Sequence, residues 1–113
     1  MRAITLGQLG FCIAFASALT ACAGAPRGDA AAGQRIAAAN CAACHAIGLT
    51  GESAHANAPP LRTLSQKYPI RSLEEALAEG IIVGHGDMPE FRLEPAEIDA
   101  LIAYLESVQT RSE

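Results

Sequence analysis

The sequence predicts an all-α fold of three to five short helices. The clearest observation is an apolar stripe near the carboxyl end with the 3.6-residue period of one helix face. Its members are Ile98, Leu101, Ile102, Leu105 and Val108. No segment alternates apolar and polar residues for long enough to indicate a strand. Helix start signals and breaks at Gly or Pro divide the rest of the chain into short segments, which favours small helices joined by loops.

The first 22 residues have the pattern of an export signal. Arg2 gives a positively charged amino-terminal region, residues 11–19 form an apolar region, and small residues follow. The alternative is a transmembrane anchor, but the apolar stretch is shorter than the ~20 residues that a spanning helix needs. The signal ends in Leu19-Thr20-Ala21-Cys22, which resembles a bacterial lipobox, and ordinary cleavage after Ala23 is the competing interpretation. We expect an exported protein on the periplasmic side of a bacterial membrane, anchored there by lipid on Cys22.

A short linker and a single domain follow the signal. Residues 23–28 are mostly small and form the linker, and residues 29–113 form the domain. Asp29 is the expected N-cap of a first helix over about residues 30–40. Gly33 lies inside this helix, where a glycine costs up to ~1 kcal/mol. Either another helix approaches closely at Gly33, or the glycine is only tolerated there.

The middle of the chain predicts a loop and two short helical segments. Residues 46–60 contain two glycines and end in two prolines, which indicates a loop. Residues 61–68 can form two helical turns that end before Pro69. Ser72 and Glu75 have the spacing of a capping box, which predicts a helix that continues to about Ala78 or into residues 81–83.

The last third predicts a turn-rich loop and the final helix. Residues 84–89 combine two glycines with a proline and indicate a loop. Pro95 suits the first position of a helix, and Glu97 would lie in its first turn, where an acidic residue is stabilising. This helix carries the apolar stripe described above.

The pentapeptide Cys41-Ala42-Ala43-Cys44-His45 follows the first predicted helix directly. C-x-x-C-H is the signature of covalent haem c attachment: two thiols form thioethers with the haem vinyl groups, and the histidine binds the iron. A redox-active dithiol is one alternative, but it needs a strand–helix context that the sequence lacks. A zinc site is another, drawing on Cys41, Cys44 and two of His45, His55 and His85, but that spacing fits no common zinc module.

Met88 is the candidate for the second axial ligand of the iron. It is the sole methionine beyond the predicted signal, and it stands in a loop between Asp87 and Pro89. A thioether is a soft ligand that favours Fe(II) and raises the reduction potential. The alternatives are a methionine that fills a core gap and ligation by His85. We expect His55 to be exposed and not to bind the iron.

The motifs of the chain, in their order and spacing, resemble those of the small single-haem cytochromes c of bacteria. The resemblance covers residues 28–108 and is carried by Gly33, the haem motif, residues 58–61, residues 84–89 and residues 101–105. It implies a cytochrome c-like fold wrapped around one covalent haem. It also implies a one-electron carrier between redox proteins, which is not an enzyme and has no small-molecule substrate. The alternatives are a haem subunit of a larger membrane oxidoreductase, and a haem sensor or enzyme with a displaceable sixth ligand.

The resemblance also implies particular contacts. The first and last helices would cross near Gly33 and Tyr104, and the Pro59 carbonyl would accept a hydrogen bond from the His45 imidazole. Ala37 departs from the pattern, because the family often has an aromatic residue there, and this departure predicts a smaller helix contact. Candidate partners of the haem propionates are Arg62 and Tyr68.

The charge distribution argues against nucleic acid and suggests a protein partner. The formal net charge is −4, which makes nucleic acid an unsuitable partner. Residues 73–113 contain ten acidic and two basic residues, whereas residues 23–72 contain five basic and two acidic ones. Such a dipolar protein can steer toward a basic patch on a redox partner. The alternative is an acidic helix face that is only solvated.

Overall fold

The computed structural model describes residues 28–80, 87–90 and 92–110. In these ranges the chain forms helices and loops and no strand, which confirms the all-α prediction. The helices are α1 (Ala30–Asn40), two 3₁₀ helices (Leu61–Gln66 and Ile70–Ser72), α2 (Leu73–Glu79) and α3 (Pro95–Val108). No helix in the described ranges is long and apolar enough to cross a membrane. The predicted signal with Cys22, the linker up to residue 27, and His85 lie outside the described residues.

Helix α1 has the predicted bounds because its cap is local. The Asp29 carboxylate accepts a hydrogen bond from the Ala31 amide at 2.9 Å, which satisfies one of the amides left unpaired at a helix start. The helix ends at Asn40, and the Cys41 amide still donates to the Ala37 carbonyl at 2.8 Å. The C-x-x-C-H motif therefore begins at the C-cap of α1.

Helix α3 supplies the largest part of the core. Pro95 occupies its first turn, and the Glu97 carboxylate accepts a hydrogen bond from the Glu94 amide at 2.9 Å, as in a capping box. The five residues of the predicted apolar stripe are all buried, with at most 6% of their surface exposed. The stripe packs with the apolar side chains Leu61, Leu64, Ile70, Leu73 and Leu93.

Helices α1 and α3 cross at Gly33. A Cβ atom on this glycine would overlap the Ala100 carbonyl and lie 2.7 Å from Cβ of Tyr104. The close-approach interpretation of Gly33 is therefore confirmed, and so is the crossing near Tyr104. Ala37, one turn further along α1, is fully buried, so a larger side chain at this position would have to displace its neighbours.

The predicted capping box at Ser72 is wrong. Ser72 is the last residue of the second 3₁₀ helix and has helical backbone angles (φ −67°, ψ −10°), whereas an N-cap usually has extended ones. Its hydroxyl donates to the Pro69 carbonyl at 2.6 Å. Helix α2 ends at Glu79 because Gly80 adopts a left-handed conformation (φ 73°). The possible continuation into residues 81–83 lies outside the described residues.

The segment after α3 is bound to the first 3₁₀ helix. The Gln109 side-chain amide donates to the Leu61 carbonyl at 2.9 Å and accepts from the Ser65 amide at 2.9 Å. The Thr110 amide donates to the Arg62 carbonyl at 2.9 Å. These bonds hold the 3₁₀ helix, which begins directly after Pro59 and Pro60, against the end of α3.

Candidate haem site

The C-x-x-C-H motif forms a tight turn at the end of α1. The amides of Cys44 and His45 both donate to the Cys41 carbonyl, at 3.1 and 2.9 Å. The thiols of Cys41 and Cys44 are not joined in a disulfide. Both cysteines and His45 line the same cleft. The turn thus presents two thiols and one imidazole to a shared space.

The imidazole of His45 is oriented by the loop that follows it. Its Nδ1 lies 2.7 Å from the Pro59 carbonyl oxygen. Because a carbonyl can only accept, Nδ1 carries the hydrogen and Nε2 carries the lone pair that can bind a metal. The expected bond to Pro59 is confirmed. The loop is closed at its base by the Leu61 amide, which donates to the Ala46 carbonyl at 2.9 Å.

The cleft is large and mostly apolar. Its empty volume, including the part open to solvent, is about 1230 Å³. Leucines from the first 3₁₀ helix, α2 and α3 line it: Leu61, Leu64, Leu73, Leu77, Leu101 and Leu105. Met88 is half-buried and lies in the same cleft, together with its neighbours Asp87 and Pro89. The fold therefore brings Met88 and the haem motif together, although they are far apart in the chain.

His55 occupies a place that the sequence did not indicate. We expected an exposed loop residue, but its side chain is only 37% exposed and lines the cleft. Its backbone amide donates to the Cys44 carbonyl at 3.1 Å, and its Nε2 lies 3.6 Å from Oδ2 of Asp87. This contact joins two loops distant in sequence, so no local pattern could have revealed it.

The family of the chain follows from a match to a known family model. A family model described as cytochrome c matches residues 30–109, which is most of the chain and all of the site. The chain belongs to the cytochrome c family.

Two relatives agree with this membership. The chain is 42% identical over 83 residues to a cytochrome c6 of Picosynechococcus sp., covering 68% of this chain and 71% of the relative. It is 34% identical over 85 residues to a cytochrome c6 of Bryopsis maxima, covering 69% of this chain and 90% of the relative. No solved structure matches the chain. As a cytochrome c, the chain carries one covalently bound haem c with its iron and acts as an electron carrier.

The residues of the cleft fit a haem group. An apolar cleft can enclose the porphyrin, the paired thiols can form its thioethers, and His45 has the tautomer of an axial ligand. The dithiol alternative fits poorly. A reactive cysteine needs a lowered pKa, whereas burial raises the pKa of the Cys41 thiol to about 11. In the described ranges no group of three or more His, Cys, Asp or Glu side chains could hold a metal ion, as the zinc alternative would require.

The polar residues near the cleft are partly those expected for the propionates. Tyr68 lines the cleft, and partial burial raises the pKa of its hydroxyl. Lys67, which no sequence pattern marks as a candidate, also lines it. Arg62 is not among the residues that line the cleft. It donates through Nη2 to the Gly51 carbonyl at 2.9 Å, and its Nη1 is buried without a hydrogen-bond partner among the described residues. Arg62 and Tyr68 both stay candidates, and Lys67 joins them.

Proposed function

We propose that this cytochrome c is an exported one-electron carrier whose iron is bound by Nε2 of His45 and by the Met88 thioether. The observation that carries the proposal is that His45 and Met88 line one cleft together with the two cysteines of the motif. A thioether is a soft ligand suited to Fe(II), and the pair His and Met is one of the ligand sets found in cytochromes c. The haem iron supplies the one-electron couple between Fe(III) and Fe(II).

The chain's own residues hold the haem and shield it from solvent. Cys41 and Cys44 fix it covalently, and the Pro59 carbonyl holds the His45 ring in one orientation, which also raises the basicity of the ligand. The leucines of α3 and of the first 3₁₀ helix exclude water from the cleft. With His45 and Met88 both bound to it, the iron would have no free position for a substrate. The protein therefore transfers electrons to other proteins and is not an enzyme.

Substitution of the proposed sixth ligand tests this assignment directly. The haem-loaded wild-type protein should be low-spin, show the weak Fe(III)–thioether charge-transfer band, and bind carbon monoxide slowly in its reduced form. Met88→Leu should abolish the band and allow rapid carbon monoxide binding. His85→Gln is the matched control for the rival ligand and should leave the spectrum unchanged. Rapid carbon monoxide binding by the wild-type protein would instead favour a sensor or enzyme with an open site.

We further propose that lipid on Cys22 anchors the protein on the periplasmic side of the membrane. The support is the sequence pattern Leu19-Thr20-Ala21-Cys22. An anchor there would keep the domain close to the membrane, because the linker of residues 23–28 spans at most ~20 Å. Mass spectrometry of the mature amino terminus should find a lipidated cysteine, and Cys22→Ser should shift the protein from the membrane fraction to the soluble fraction. An unmodified mature chain that starts at Gly24 would contradict the anchor and leave the carrier function intact.

The partners we propose are redox proteins that present a basic surface. Arg71, in the second 3₁₀ helix just before the acidic stretch of residues 73–113, is already paired with two of its carboxylates, at 3.0 Å from both Glu74 and Glu106. Near Met88 the side chains of Asp87 and Glu90 are exposed. A negative surface beside the cleft favours encounter with a positive one and speeds association at low salt.

A further inference from the structure

Among the described residues, a pair of side chains connects the two loops at the proposed iron ligands. His55 belongs to the loop of residues 46–60, which follows His45 and ends at Pro59. Asp87 directly precedes Met88. Nε2 of His55 lies 3.6 Å from Oδ2 of Asp87, and both residues line the cleft. The pair therefore joins one ligand loop to the other at the cleft.

His55 is fixed firmly on its own side of this contact. Its backbone amide donates to the Cys44 carbonyl at 3.1 Å, and its carbonyl accepts from the Ala58 amide at 3.0 Å. Its Nδ1 accepts a hydrogen bond from the Asn57 amide at 3.3 Å. Since Nδ1 acts as an acceptor, the ring hydrogen is on Nε2 and is presented to the Asp87 carboxylate.

Asp87 is more exposed than His55. Its side chain is 68% exposed, and it lies next to the half-buried Met88. A backbone movement that withdraws Met88 from the cleft would also displace its chain neighbour Asp87. The contact with His55 is thus placed to oppose that movement without touching the iron itself.

We propose that His55 and Asp87 form a latch that slows the departure of Met88 from the iron. This inference rests on the proposed ligation by Met88. His55 and Asp87 are positioning residues in this proposal: they hold the loop of Met88 and make no bond to the haem iron. The contact lies at the surface, so the effect is modest, and we expect Met88 to leave about threefold faster without it, which corresponds to ~0.6 kcal/mol in the barrier.

Displacement of the thioether by imidazole measures the latch in the haem-loaded ferric protein. At high imidazole concentration the rate saturates at the rate with which Met88 leaves, and loss of the Fe(III)–thioether band reports it in a stopped-flow experiment. Asp87→Asn removes the charge that faces His55. His55→Asn keeps an acceptor for the Asn57 amide and removes the group that faces Asp87. Glu90→Gln is the matched control, because it removes one exposed charge from the same loop.

The expected result is a saturating rate about threefold higher in Asp87→Asn and in His55→Asn, and unchanged in Glu90→Gln. The double variant should be no faster than either single variant, since the two changes break one contact. Global stability, measured by denaturant unfolding, should barely change in Asp87→Asn, so a faster departure cannot be attributed to general loosening.

Each contrary outcome has a distinct meaning. If Asp87→Asn and Glu90→Gln have equal saturating rates, or if the two single effects add in the double variant, the latch is refuted while ligation by Met88 stands. If the wild-type protein lacks the thioether band, ligation by Met88 fails, and the latch fails with it.

Discussion

Replacement of Gly33 by alanine should destabilise the domain, although alanine is the better helix former. In an exposed helix interior the exchange would stabilise by up to ~1 kcal/mol. At Gly33, however, the new Cβ would overlap the Ala100 carbonyl and come within 2.7 Å of Cβ of Tyr104. Both of these atoms belong to the framework of α3, so no side-chain rotation can relieve the overlap.

The size of the stability loss in Gly33→Ala depends on the backbone shift that the new Cβ requires. Added methyl groups in a well-packed core usually cost ~1–3 kcal/mol, and the cost is at the upper end when backbone has to shift. Separation of α1 from α3 would also loosen Ala37, which is fully buried, and Tyr104, which is 6% exposed. After the gain in helix propensity, we expect a net loss of about 2 kcal/mol. For a domain of this size that lowers Tm by roughly 8–16 °C.

The assay is thermal and denaturant unfolding of the haem-loaded protein, followed by circular dichroism. Gly48→Ala is the matched control, because a Cβ at Gly48 would meet nothing within 4 Å and its φ is not positive. The control should be neutral or more stable by ~0.4–1 kcal/mol, since alanine restricts the unfolded chain. A Gly33→Ala protein as stable as the wild type would refute the argument that the helices touch at this glycine.

Three further predictions concern contacts between distant segments and the charged surface. Tyr104→Phe should lower the free energy of unfolding, measured with denaturant, by ~1–2 kcal/mol. The Tyr104 hydroxyl donates to the Ile47 carbonyl at 2.7 Å, and that carbonyl would lose this donor. Gln109→Ala should lower the free energy of unfolding by ~2 kcal/mol, because the side chain bonds the first 3₁₀ helix, including the Leu61 carbonyl, and α3. The control Gln66→Ala removes an exposed contact of 3.5 Å and should change the free energy of unfolding by no more than ~0.5 kcal/mol. Electron transfer to a basic redox partner should slow as ionic strength rises, and a rate independent of salt would contradict electrostatic steering.

The features predicted correctly from the sequence are those set by neighbouring residues. Asp29 caps α1 through an amide two residues away, and Pro95 begins α3. The buried stripe of α3 follows from periodicity alone. The haem motif is a contiguous pentapeptide, and the Pro59 contact came from the family pattern. These signals need no knowledge of how distant segments pack.

The features that the sequence did not predict depend on contacts across the fold. Ser72 has the spacing of a cap, but the 3₁₀ helix before it already places its backbone in a helical conformation. His55 reached the cleft through a bond to Cys44 and a contact with Asp87, neither of which has a local signature. Gln109 likewise contacts a helix distant in the chain. Propensity and spacing carry no information about such pairs.

The helix crossing and the orientation of the axial histidine form one connected structure. Tyr104 packs against Gly33 through its Cβ, while its hydroxyl holds the Ile47 carbonyl, two residues after His45. The same loop returns to Pro59, whose carbonyl fixes the His45 ring. The distance between α1 and α3 therefore helps to determine where the loop lies, and the loop determines how the imidazole is presented. Small residues at the crossing keep the helices close, and this close contact keeps the ligand loop in place around the haem.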